Sequence, residues 1–481
     1  VRVGTLPITR MVGMERNQAK MTQVLQLKKM INHQVLTMQK NLISRRRTAK
    51  KSNRVSEAIT VLESNWRDGY TVPSPYLYPF QWLWDSGFIA LGLSHFQEDR
   101  AWSELEFLFK GQWQNGLIPH IIFHKESELY FPGPDVWQAH KESHAIETPA
   151  SSGIIQPPVM GFIVEEMYHG ASNKELARVK LLEWIPKLYQ FHAYLHNERD
   201  PKNEGLIYIR HNWESGLDNS PMWDRALERI ETMEQDLSSV RKDLAKIDAS
   251  NRPTNTEYQK YLWLVDHFKA NNYFESEIRK ECPFLIQDPV INALLIKSNY
   301  ALYRLSVELG DPIEEFKIWA DAGKKAMNSK LWSQEYSNYL GYDLYADKII
   351  PESVNTSFMV SLYAEIPSAE QAQEIVHTHL VPFDLDGYYL MPSTPYKSEK
   401  FDPKRYWRGP VWINMNWMFV QGLSSYKYND WANQVHLDTM ELIEQFGIYE
   451  YYHPQKNLTE GCGSSHFSWT AALYLDLLQR M

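Results

Sequence analysis

The 481-residue sequence predicts a mostly α-helical protein built from paired helices, and three observations carry that expectation. Apolar residues recur at helical spacing in about a dozen stretches: 55–66, 88–95, 100–113, 158–170, 176–196, 289–309, 314–332, 354–364, 369–380, 411–425, 430–446 and 467–481. Strand-like alternation is confined to short pieces such as Leu117–Phe123 and Leu206–Ile209, which read as hairpin fragments. The connections at 67–87, 115–157, 199–225, 381–410 and 447–466 are long and loaded with Trp, Tyr, Asp, Glu and Gly. Disorder does not favour that composition, and ordered connections of this length tend to be functional.

The first element in chain order is different in kind. Residues 1–54 hold 13 Lys and Arg against one acid, Glu15, so the segment carries about +12 of a chain whose net charge is −9. Three readings stand for it: an organellar transit peptide, a start-codon artefact, or a basic helix docking on an acidic body. The remainder, 55–481, carries about −21 and is expected to form the main domain. An acidic body argues against nucleic acid as a partner. No run of 18 apolar residues occurs, so no membrane span is expected. Cys282 and Cys462 are the only cysteines, which excludes a disulfide framework and a Cys-rich metal site. They suit a reducing compartment, predicting the cytoplasm, or an organelle if the basic segment is a leader. Self-association is left open.

After residue 225 the pattern changes again. Leu227, Ile230, Met233, Leu237, Val240, Leu244 and Ile247 make a narrow apolar stripe with no Gly or Pro, which predicts an inserted helical arm over 226–250. A polar loop, Ser250–Tyr258, follows it. The arm reads either as a solvated helix leaning on the body or, taken as 226–258, as a lid over a site.

Five loop motifs repeat one recipe of carboxylate, aromatic and amide. They are Tyr76–Ser86 (YLYPFQWLWDS), Gln112–His120 (QWQNGLIPH) continuing to Tyr130–Trp137 (YFPGPDVW), His211–Asp224 (HNWESGLDNSPMWD), Arg405–Trp412 (RYWRGPVW), and Tyr449–Pro454 (YEYYHP) with Phe467–Ala472 (FSWTAA). Singly each has a bland reading. Asp85 reads as a helix N-cap, as does Asp224 or Ser220, and Arg408 reads as a loop brace partnered by Glu450. Jointly they describe a sugar site, where carboxylates and amides bind hydroxyls and aromatic planes stack on ring faces. No nucleophile elbow, phosphate-binding loop, dinucleotide fingerprint or HExxH occurs. His120, His140 and His144 lie in a loop without metal-ligand spacing, so no metal is expected. What remains is acid–base work by paired carboxylates.

These stretches, with SGIIQPPV and RPTNTEYQKYL between them, resemble glycoside hydrolase family 63 over about 55–481, in the branch of mannosylglycerate and glucosylglycerate hydrolases. The resemblance implies an (α/α)6 barrel whose loops form the site. It also implies inversion at an α-glycosidic bond without a cofactor, cleaving a hexosyl-glycerate to hexose and glycerate in the turnover of a compatible solute. Residue by residue, it makes Asp218 the general acid and Glu450 the general base. Tyr78, Trp82, Asp85, Gln156 and Trp213 match positions that hold the sugar. Tyr130, Arg252, Tyr258, Tyr406 and Trp407 match positions around the glycerate.

The residues fit that division. A glycerate carboxylate on an acidic protein calls for a fixed cation, and Arg252 with Tyr258 would supply a guanidinium and a phenol. Otherwise Arg252 is a surface residue beside Pro253. Asp218 is expected to be protonated through burial among aromatics and the neighbouring Glu450. A carboxyl separation of about 6.5–9.5 Å would accompany inversion. Two alternatives remain: a neutral α-glucosidase or trehalase, and a non-catalytic sugar-binding protein on the same scaffold.

Overall fold

A computed structural model describes residues 53–141, 144–233, 236–353, 355–381 and 387–480. The basic segment 1–54 lies almost wholly outside the described residues. Residues 57–481 form one unit. Its centre is a ring of six helices: Leu83–Ser94, Met160–Gly170, Pro289–Leu309, Ser357–Tyr363, Ile413–Ser425 and Ser468–Gln479. Each packs on the next, and the last returns to the first. These helices are apolar nearly all round; every residue of Leu83–Leu93 is buried, which is what an inner layer requires.

An outer helix follows each of the first five inner ones in the chain, Glu98–Phe109, Lys174–Arg199, Glu314–Ala326, Ala369–Ile375 and Asn429–Phe446, and a helix ending at residue 65 precedes the ring. The fold is therefore an (α/α)6 barrel. Outer helices show one buried stripe and one solvated face, as Phe316, Ala320 and Gly323 do against Lys317, Asp321 and Lys325. The stretches 314–332 and 369–380 each end in a wide π turn, over Met327–Leu331 and Val376–Leu380.

Glycine sets how closely the inner helices approach. A Cβ on Gly92 would fall 2.7 Å from the Ala472 carbonyl oxygen. On Gly161 it would fall 2.5 Å from that of Ser298, and on Gly422 it would fall 2.6 Å from the Tyr363 amide. At three alternate seams of the ring, backbone thus rests on backbone.

Small antiparallel sheets dress the loop end. Gln81–Trp82, Ile121–Phe123 and Ala150–Ser151 form one, with Trp82 opposite Ile121 and Ile122 opposite Ser151. Tyr449–Tyr452 and Gly461–Ser465 form a hairpin with Cys462 opposite Tyr451. Of the two expected hairpin fragments, the first contributes Ile121–Phe123, and the second only a bridge from Ile209 to Ile286.

The expected helical arm over 226–250 is not formed. Helix covers only Asp224–Glu228, and the described residues from 231 to 248 are turns and extended chain. Leu227, Ile230 and Leu237 are buried but Met233 is fully out, so the stripe follows a winding path. Tertiary contacts override the local helical preference. Arg241 is buried against the Tyr258 ring and donates to the Pro253 carbonyl, while the side chains of Asp236 and Asp248 turn the chain at Ser238 and Ser250. The expected polar loop 250–258 instead starts a helix, Asn255–Ala270, through a Thr254–Glu257 capping box.

Candidate active site

The loop that carries Asp218, between Asn212 and Asp224 and called the acid loop for its carboxylates, owes its shape to its own side chains. After the 3-10 turn Asn212–Ser215, Gly216 takes the left-handed conformation at φ +74°, where any Cβ would meet the Trp84 ring. Ser215 Oγ donates to the Asn212 carbonyl and accepts from the Leu217 amide, and Asn212 Nδ2 holds the Asp218 carbonyl at 2.6 Å. Glu214 lies fully buried beneath. It takes both terminal nitrogens of Arg199 at 2.8 and 2.9 Å, the Arg210 amide at 2.7 Å and the Ile155 amide at 3.2 Å. Glu275 closes the cluster, 2.7 Å from Arg199 Nε and 2.9 Å from Arg210 Nε. Two cations and two carboxylates thus compensate one another in the interior, and Arg199 keeps Glu214 ionised, below the usual range despite burial.

Glu450 projects from the Tyr449–Tyr452 strand. Its Oε2 accepts from the Ser464 amide at 3.0 Å, which requires Gly463 at φ +69°; a Cβ there would stand 2.5 Å from that oxygen. Tyr78 donates to Oε1 at 2.8 Å. Across the pocket the Tyr406 hydroxyl donates to Asp218 Oδ2 at 3.3 Å, and the two phenol oxygens are 3.3 Å apart. Tyr406 itself sits at φ +46°, uncommon for a bulky residue. Trp412 Nε1, donating to its carbonyl at 3.1 Å, helps hold it there.

Burial pushes the Asp218 carboxyl up to about 8, with Glu450 adding in the same direction and Arg252 opposing. Asp218 therefore carries its proton at neutral pH. Burial also raises Glu450, while Arg252, the Ser464 amide and Tyr78 pull it back toward the ionised form. Two carboxyls in one pocket with different partners can divide acid and base roles.

All twelve residues singled out from the sequence line one cavity of about 850 Å³, open mouth included. Asp218, Glu450, Tyr78, Trp82, Asp85, Tyr130, Gln156, Trp213, Arg252, Tyr258, Tyr406 and Trp407 all face it. Asp85 is the third residue of its helix rather than an N-cap, and burial followed by the Glu450 charge raises its carboxyl well above the usual range. Gln156 Oε1 accepts from the Trp84 amide at 3.2 Å. Trp82 and Tyr130 pack edge to face at 5.2 Å, and Trp407 stacks on Trp412 at 3.8 Å.

Arg252 is buried, 7% exposed, rather than a surface residue. Its Nη1 donates to the Tyr78 hydroxyl at 3.0 Å and its Nε to Asp243 at 3.2 Å. Tyr258 gives its hydroxyl proton to the Phe131 carbonyl at 2.8 Å, so it offers the pocket an acceptor and a ring edge. Arg408 pairs with Asp224 and Glu257, not with Glu450.

Sequence reasoning misses Lys242 and Asp243, because the stripe over 226–250 reads as helix and they lie on its polar side. Trp84, Trp412, Phe467 and Trp469 also face the cavity; they stand inside the five loop motifs, and their aromatic rings are the available signal. Among the described residues no group of His, Cys, Asp and Glu is arranged to hold a metal ion, and no helix is long and apolar enough to cross a membrane. Cys282 and Cys462 are both free and buried.

A barrel of paired helices with two carboxyls set into an aromatic pocket is an arrangement that suits a glycoside hydrolase, and comparison with known proteins shows that class. The chain belongs to the family of the mannosylglycerate hydrolase MGH1-like glycoside hydrolase domain, whose model matches residues 78–470. It is 39% identical over 433 residues to a mannosylglycerate hydrolase of Rubrobacter radiotolerans, spanning 89% of this chain and 97% of that one. To a glucosylglycerate hydrolase of Mycolicibacterium hassiacum it is 31% identical over 439 residues, spanning 88% and 97%. A crystal structure of a family 63 mannosylglycerate hydrolase from Thermus thermophilus, in complex with Tris and D-glycerate, is similar with a TM-score of 0.82 at 38% identity. That likeness covers 88% of this chain and 99% of the crystallised one.

Proposed function

We propose that the chain is an inverting α-glycosidase that hydrolyses mannosylglycerate, glucosylglycerate or both. Asp218 protonates the leaving glycerate oxygen, and Glu450 removes a proton from a water attacking the anomeric carbon on the opposite face. Tyr78, Trp82, Asp85, Gln156 and Trp213 hold the hexose. Arg252, with Tyr130, Tyr258, Tyr406 and Trp407 around it, receives the glycerate. The observation that carries this reading is the pair of phenols: each donates to one carboxyl, and a buried guanidinium touches both. The segment 226–258, read as a cover over the site, delivers Lys242, Asp243 and Arg252 to its wall. The buried free thiols fit a reducing compartment, the cytoplasm or an organelle.

The experiment is hydrolysis of mannosylglycerate, glucosylglycerate and trehalose side by side, with proton NMR of the first-formed anomer. Release of β-hexose from the two glycerate glycosides is expected, with little from trehalose. Asp218→Asn and Glu450→Gln should each lose turnover by a factor of about 10³ or more while remaining folded. Substantial activity in both variants would remove the assignment.

One observation favours a second reading, a neutral α-glucosidase or trehalase-like enzyme: Asp243 already supplies Arg252 with a carboxylate. Arg252→Ala separates the two. A rise in KM for glycerate glycosides alone supports the anionic aglycone, and an equal effect on neutral disaccharides supports the other.

A further inference from the structure

The Arg252 guanidinium stands between two phenols. Its Nη1 donates to the Tyr78 hydroxyl at 3.0 Å, and Tyr78 donates in turn to Glu450 Oε1 at 2.8 Å. Its central carbon lies 4.5 Å from the centre of the Tyr406 ring. We propose that Arg252, besides receiving the aglycone, is a positioning residue for the base: through Tyr78 it couples the charge of the bound aglycone to the proton affinity of Glu450. The proposal rests on Glu450 as base and Arg252 as the aglycone cation.

The coupling follows from hydrogen-bond polarisation. A cation donating to a phenol oxygen makes that phenol a stronger donor, and a stronger donor stabilises the carboxylate it serves. An anion engaging Arg252 takes up part of the positive charge. Tyr78 then donates less strongly, and Glu450 holds a proton more tightly. Little water intervenes to screen the effect, since Glu450 is 1% exposed and Arg252 7%.

The other titratable groups facing these two, with Lys242 on the cavity wall and Tyr406 beside Arg252, belong to the fold. Asp85 faces Glu450 from the 83–94 helix, Asp218 from the acid loop, and Tyr451 and Cys462 from its own hairpin. Asp243 meets Arg252 at Nε, away from Tyr78. A substrate carboxylate is the charge that arrives and leaves. The base would therefore be weaker in the empty site or with a neutral glycoside, and stronger with the anionic substrate in place, so the aglycone's charge is read in kcat as well as in KM.

The test follows the carboxyl of Glu450 by infrared difference titration of the whole protein, with Glu450→Gln identifying its band. D-glycerate added to the wild type should raise the titration midpoint by about one pH unit. Arg252→Gln should raise the midpoint without ligand and abolish the response. Tyr78→Phe should abolish the response while calorimetry still detects glycerate binding. An identical midpoint in wild type and Arg252→Gln would overturn the coupling, as would a full response in Tyr78→Phe. Glycerate that binds the wild type by calorimetry and moves nothing would overturn the coupling too; if it does not bind, yet Arg252→Gln raises the midpoint, the link from Arg252 to Glu450 stands and the anionic-aglycone reading falls.

Discussion

At the scale of single residues, Asp218 shows what its proposed task would cost. Its carboxyl stays protonated in the fold up to about pH 8, whereas an unfolded chain releases that proton at about pH 4. Between those values the fold binds more protons at this position, so stability is full below the lower value and is lost as pH rises through the upper. Asp218→Asn is neutral throughout and should escape that loss. Its melting temperature, equal to or below wild type at about pH 4, should overtake it progressively toward about pH 8, while turnover is abolished. A constant difference across that range, followed by scanning calorimetry, would contradict the assignment. In the wild type the same ionisation should appear as an alkaline limb in kcat/KM at about pH 8, because an acid that has lost its proton cannot donate one.

At the scale of elements, the inner ring depends on small residues at its seams. Gly92→Ala adds a methyl that meets the Ala472 backbone, which cannot turn aside as a side chain would. Parting the 83–94 and 468–479 helices should cost about 1–3 kcal/mol in urea unfolding, with activity reduced because Asp85 rides on the first of them. The helices themselves are legible from their 3.6-residue period, since burial on one or all faces writes that period into the chain. The loops that line the cavity are legible too, from their aromatic and acidic content, while the individual residues within and between them are picked out by the family resemblance. The path of 226–250 is not. Its apolar spacing matches a helix by coincidence of local pattern, and what bends it is the burial of Arg241 against Tyr258, a contact no local window contains. For the same reason Asp243 is invisible as the partner of Arg252. The Thr254–Glu257 capping box, by contrast, is spelled out in the letters, and a polar-loop reading of 250–258 overlooks it.

At the scale of the molecule, the buried cluster of Arg199, Glu214, Arg210 and Glu275 joins an outer helix, the acid loop and the helix Glu275–Glu281. Glu214→Gln would leave Arg199 with one carboxylate instead of two. A loss of about 3–5 kcal/mol is expected in denaturant unfolding, with kcat falling more than KM rises because Asp218 loses its footing. An unchanged kcat in a folded variant would show that the loop keeps its shape without the ion pair. The same carboxylate also receives the amide of Ile155, the residue before Gln156. The proposed proton donor and the proposed sugar ligand are therefore fastened to one peg. Reshaping the Gln156 side of the pocket is then expected to disturb the seat of Asp218 as well, so a change of hexose there would be felt at both residues.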